Sequence, residues 1–175
     1  MTKPAITTAA EIPAHDADIE QIHADAFGPG RFARAAFRIR EGGPHNRSIS
    51  RVALANDKII ASVRMTPVVV GSTPALLLGP LAVTPAYKNK GIGRNLMKES
   101  LALAKDAGHS LVILVGDEPY YGPFGFKRVP AGTIKFPAPV DQNRILACEL
   151  AASAAEGMSG MVRHADMTPA KIRAL

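Results

Sequence analysis

The chain is short of several things, and each shortage removes a class of function. It carries one cysteine, Cys148, in 175 residues, so no internal disulfide can form and a reducing compartment is expected. Cys148 lies in the apolar run 145–150 without a supporting partner nearby, which reads as a core thiol and not a nucleophile. The five histidines are dispersed, with neither a His-Glu-x-x-His nor a Cys-x-x-Cys spacing, so no metal is expected. Tryptophan is missing, aromatic residues make up 5%, and no nucleic-acid reader motif occurs, which argues against a nucleic-acid partner. No apolar run approaches bilayer-spanning length and the opening Met1-Thr2-Lys3-Pro4 starts no export segment, so no membrane partner and a cytoplasmic location are expected.

What remains suits a folded globule. Hydrophobic residues reach 47% and charged ones 21%, and the length fits a single domain over 1–175 with a substantial core. The net charge of +6 comes partly from Arg31, Arg34, Arg38 and Arg40, which share one segment and are expected to form a solvated face.

The pattern predicts an α/β chain with a mixed sheet. A strand over 5–9 precedes a helix over 13–27, whose Ile19, Ile22 and Ala26 form a stripe and which Gly28-Pro29-Gly30 ends. A second helix is expected over 31–40. Strands follow over 51–55 and 59–70 around an Asn56-Asp57-Lys58 turn. The run 75–83 reads as a central strand buried on both faces, with Gly79-Pro80 marking a bulge. Leu96, Met97, Leu101 and Ala104 stripe a helix that starts at Gly91 and ends at Ala107-Gly108. The strand over 111–115 should then lie parallel to the central one. A short helix over 119–124, closing strands over 126–129 and 145–150, and a weakly defined tail over 156–175 complete the reading.

The most informative stretch runs from Leu76 to Leu96: apolar strand, basic turn, helix opening on Gly91-Ile92-Gly93. The first turn of a helix has backbone N–H groups without intrahelical partners, and its dipole favours an anion there. Glycines let that backbone come close to a diphosphate, and Lys88, Lys90 and Arg94 add positive charge. A dinucleotide fingerprint is excluded, because its third glycine would fall on Leu96 and its acidic residue in the apolar run 111–115. A nucleoside triphosphate loop is excluded too, since the turn ends Gly93-Arg94-Asn95 without Lys-Ser/Thr.

Lys88-Asn89-Lys90-Gly91-Ile92-Gly93 resembles the Gln/Arg-x-x-Gly-x-Gly/Ala signature of the GNAT superfamily of coenzyme A dependent N-acetyltransferases. Tyr121-Gly122-Pro123-Phe124-Gly125-Phe126 matches the same family's Tyr-x-x-x-Gly-Phe, and blocks such as Val63-Arg64-Met65-Thr66-Pro67 look like its small bacterial YhbS-like branch. The resemblance implies a GNAT fold with a splayed mixed sheet and acetyl-CoA as cosubstrate. It places Lys88, Asn89, Lys90, Gly91, Ile92, Gly93 and Arg94 around the diphosphate, and the backbone of Leu81, Ala82 and Val83 along the pantetheine arm. It makes Tyr121 the general acid beside the sulfur, with Tyr120 as packing. The acceptor is an unidentified amine, its pocket expected from 27–41, 64–66 and the closing strands.

One departure from the family stands out. The strand before the loop offers Leu76, Leu77, Leu78 and Gly79 and no carboxylate, so the general base stays open among Asp25, Glu41, His45 and Asp117. The alternative from another class is a non-catalytic coenzyme A sensor or an interaction module on the same fold. Open sheet edges leave room for a homodimer.

Overall fold

A computed structural model describes residues 4–167, 171, 173 and 174. The order begins with β1 (Ile6–Ala10), α1 (Asp16–Phe27), α2 (Ala35–Arg40), β2 (Arg51–Ala55), β3 (Lys58–Val70) and β4 (Thr73–Val83). It continues with α3 (Ile92–Asp106), β5 (Leu111–Val115), α4 (Glu118–Tyr121), β6 (Lys127–Arg128), β7 (Ile134–Lys135), β8 (Ile145–Glu149) and β9 (Gly160–His164). Strands run β1-β2-β3-β4-β5-β8-β6 across the sheet, antiparallel except for β4 beside β5. The sheet is therefore mixed, as expected, with the one parallel pair of that series flanking α3.

Local chemistry accounts for most boundaries. Asn56 and Asp57 take φ of 48° and 62°, the left-handed pair of a two-residue hairpin turn between β2 and β3. Gly28 ends α1, its N–H bonded to the Ala24 carbonyl. In α3 the expected stripe is buried: Leu96, Met97, Leu101 and Ala104 meet Ala61, Val63, Met65, Leu76, Val112 and Leu114 on one sheet face. The opposite face is covered by Ile19 and Ile22 of α1 and by Ala35 and Ile39 of α2.

Two expectations need correction. The segment over 31–40 is not one helix: a 3-10 turn over Pro29–Ala33 and α2 are separated at Arg34, whose ψ of 140° is extended. The tail is not weakly defined, because β9 pairs with β3 through Val68↔His164 to Val70↔Val162 and with β7 through Ile134↔Gly160. β3 is long enough to carry β2 on its first half and β9 on its second, while β4 runs along its other edge. Of the expected tail, residues 168–170, 172 and 175 lie outside the described ones.

Candidate active site

The sheet opens between β4 and β5. Only Leu76↔Val112 and Leu77↔Ile113 are paired, so beyond Leu77 that edge of β4 has no strand beside it. The β3–β4 register then shifts from Met65↔Leu78 to Val63↔Leu81, placing one extra residue on β4 at Gly79-Pro80. That bulge changes which face the side chains address: Leu76 and Leu78 pack toward α3 before it, Leu81 and Val83 after it. A cavity of about 1390 Å³ fills the opening, larger than the pocket of a single drug-sized ligand.

Its floor is the loop before α3. Asn89 and Gly91 take φ of 60° and 78°, both left-handed, as the turn required of an asparagine and a glycine. Helical bonding begins with Asn95 N–H to the Gly91 carbonyl at 3.0 Å, and no side chain caps the end. The amides of Ile92, Gly93 and Arg94 thus have no intrahelical acceptor. Open space lies in front of Gly91, with no atom within 4 Å of where its Cβ would stand. Lys88, Asn89, Gly91, Ile92, Gly93 and Arg94 all line the cavity, as do Leu81, Val83 and Tyr121. Ala82 and Lys90 do not: Ala82 is buried among Ile19, Ile22 and Ile59, and the Lys90 ammonium binds the Ala86 carbonyl at 2.8 Å over the Tyr87 ring.

Both tyrosines of α4 line the cavity, their rings 4.8 Å apart and edge-on. The Tyr121 ring packs so closely on Gly116 that a Cβ there would overlap it, and it touches Phe126 at 6.0 Å between centroids. Burial, then Tyr120 and Asp117, push the Tyr121 hydroxyl up to about 12. It is therefore protonated throughout the working pH range. The Tyr120 hydroxyl lies over Gly93, 3.2 Å from its Cβ position.

Behind the remaining wall lies a charge network of which His45 and Arg64 reach the cavity. The Glu11 side chain is fully buried and accepts from His45 Nε2 at 2.7 Å, Arg47 at 2.9 Å and Arg64 at 2.8 Å. Asp16 bonds the same two arginines at 2.8 and 3.1 Å. Burial alone would raise the Glu11 pKa, but hydrogen bonds from His45 and Arg64 outweigh it and hold the carboxyl below its usual range. Of the four groups considered for proton acceptance, His45 and Asp117 line the cavity and Asp25 and Glu41 do not. Asp117 is bonded to Arg144 at 3.1 Å.

His23 also faces the cavity, 4% exposed and 3.4 Å from the Ser62 hydroxyl. Burial, with Arg64 and Arg40 nearby, lowers its pKa to about 4 from 6.5. The neutral ring favours the folded state above pH 6.5, and that contribution is lost as pH falls from 6.5 toward 4. The loss should amount to about 3 kcal/mol. Urea unfolding of wild type and His23→Gln across this interval checks it: the variant should show a flatter decline, and parallel curves would refute the assignment.

The family model described as an acetyltransferase (GNAT) domain matches residues 15–129, from the start of α1 to just past β6. The chain belongs to this family. The uncharacterised N-acetyltransferase YhbS of Escherichia coli K12 is 27% identical over 157 residues, 88% of this chain and 93% of the relative. The crystal structure of YhbS in complex with CoA aligns with a TM-score of 0.78 at 26% identity, over 94% of this chain and 93% of that one. A GNAT acetyltransferase from Brucella melitensis, crystallised with acetyl-CoA, aligns with a TM-score of 0.68 at 25% identity over 94% and 99%.

Within this GNAT fold no local pattern marks the wall residues His23, Arg40 and Arg64, which come from α1, α2 and β3, or the Glu11 behind them. The Glu11 and Asp16 bonds join residues 31 to 53 positions apart. Among the described residues, no helix is long and apolar enough to cross a membrane, and no His, Cys, Asp or Glu group of three or more is arranged to hold a metal ion.

Proposed function

We propose that the chain is a single N-acetyltransferase domain that takes acetyl-CoA and moves its acetyl group directly to a primary amine. The observation that carries this reading is the uncapped start of α3, where free amides and a left-handed glycine face open space in the cavity. The diphosphate is held there by the amides of Ile92, Gly93 and Arg94, with Lys88 and Arg94 supplying charge and Asn89, Lys90 and Gly91 shaping the turn. The pantetheine arm runs along the strandless edge of β4, bonding the backbone of Leu81, Ala82 and Val83.

The chemistry follows from that placement. The amine attacks the thioester carbonyl, whose growing negative charge is met by an N–H of the bulged β4 edge. The Tyr121 hydroxyl, held protonated by burial, donates to the sulfur as it departs. The proton released by the incoming ammonium passes to cavity water, which His45 and Asp117 border. Tyr121 on the loop side favours an enzyme over a sensor, since coenzyme binding alone has no use for a hydroxyl near the sulfur.

Release of free thiol from acetyl-CoA with a panel of amines tests the reading: acetylation of at least one amine is expected, and none with any acceptor would contradict it. Gly91→Val tests the cradle. It places a β-branched side chain at φ 78° in the space where the diphosphate sits. CoA affinity by calorimetry should fall about 10²-fold, the loss of two charge-assisted hydrogen bonds, and unchanged affinity would remove the loop from the site.

A further inference from the structure

The cavity wall contains a cation with no counter-charge. Arg40 ends α2 and lines the cavity, where its Nη2 stands 2.9 Å from the position a Gly79 Cβ would occupy, at the β4 bulge. Its Nε is buried and unbonded, and no carboxylate lies within ion-pair distance of the guanidinium among the described residues. Burial, and then the repulsive charge of Arg64, lower its pKa to about 9.

The neighbouring network cannot supply the missing anion. Arg47 and Arg64 are matched by Glu11 and Asp16, two cations against two anions. Arg31 is matched by Glu20 at 3.0 Å and Arg144 by Asp117. The expected solvated face is therefore corrected at this position: Arg38 is exposed, but Arg40 is turned inward.

A second unpartnered polar group stands on the neighbouring strand. Thr66 is 1% exposed, lines the same cavity, and its Oγ1 has no hydrogen-bond partner. It pairs with Leu77 across the β3–β4 ladder, one step from the Met65↔Leu78 pair that precedes Gly79. By strand alternation it addresses the α2 side of the sheet, the side from which Arg40 enters. A guanidinium and a hydroxyl left unbonded in one enclosed place are costly unless a ligand answers both.

We propose that Arg40 and Thr66 hold a carboxylate carried by the acceptor beside its reactive amine, so that the substrates are amino acids or similar amino carboxylates. Among the arginines of this wall Arg40 is the inward one without a carboxylate, and its planar guanidinium suits a carboxylate bidentately. Anchoring at Gly79 sets the nearby amine against the β4 edge, where the thioester is proposed to lie. The inference rests on the acetyltransferase reading, since it names the acceptor of that site.

The test is calorimetric, on protein saturated with CoA, using N-acetylated forms of the twenty amino acids and their carboxamides, products whose reversal to the thioester is strongly uphill. At least one carboxylate should bind about 10- to 100-fold more tightly than its carboxamide. Arg40→Met should erase that preference, Thr66→Val should reduce it, and Arg40→Lys should keep part of it. The melting temperature of Arg40→Met should be no lower than that of wild type, because it removes an unpaired buried cation. Equal binding of acids and amides, binding of neither, or a preference that survives Arg40→Met would overturn the proposal. So would Arg40→Met slowing thiol release equally with every acceptor, which would assign the guanidinium to the thioester carbonyl. Failure of the parent reading is distinct: it appears as no CoA binding in the first titration, or as no thiol release from acetyl-CoA with any amine.

Discussion

Tyr121→Phe is expected to lower kcat about 10²-fold while CoA affinity stays close to wild type. The substitution removes one hydroxyl and keeps the ring that packs on Gly116 and Phe126, so the surrounding structure has no reason to shift. A positioned general acid contributes about 10² to 10⁴, and the low end applies because a phenol pushed up to about 12 is a weak proton donor whose value lies in its position. The raised pKa also fixes the pH behaviour. The hydroxyl keeps its proton below pH 10, so this residue adds no basic limb to the kcat profile up to that point, and none should disappear in the variant. Steady-state kinetics with calorimetric CoA titration separate the outcomes. A full loss in Tyr120→Phe with little change in Tyr121→Phe would move the role to the tyrosine whose hydroxyl lies over Gly93.

Glu11→Gln should destabilise the fold by about 3 kcal/mol at neutral pH. The carboxylate is buried at the centre of His45, Arg47 and Arg64, and an amide of the same shape leaves those donors facing a neutral group. Asp16 still holds both arginines, which keeps the loss at the lower end for a broken buried ion pair. Because the folded-state pKa of Glu11 is depressed, its contribution is present above about pH 4.5 and is lost as pH falls below it. The variant should therefore lose the steepest part of the acid limb while keeping the His23 decline between pH 6.5 and 4. Urea midpoints at a series of pH values measure both, and a shift under about 1 kcal/mol at pH 7 would show that solvent already screens the network.

The parts of this protein readable in sequence are those written by neighbours in the chain. The α3 stripe, the Asn56-Asp57 hairpin, the Gly79-Pro80 bulge and the Asn89 and Gly91 turn each depend on a few consecutive residues, and each lies where the pattern put it. β9 escaped because Gly-Met-Val-Arg-His has no strong alternation and its partner strand lies some 90 positions earlier. The break at Arg34 is a tertiary choice: helical spacing ran on through 31–40, but the backbone turns there to let α2 cover the sheet. Arg40 looked like one more member of a surface series, and only the fold distinguishes the inward arginine from Arg38.

Coenzyme binding rests on amides without partners at the head of α3. A crystal structure of the protein with CoA tests that directly. The diphosphate oxygens should lie within hydrogen-bonding distance of the Ile92, Gly93 and Arg94 amides, and the sulfur within reach of the Tyr121 hydroxyl. CoA bound with its diphosphate anywhere else would contradict the assignment.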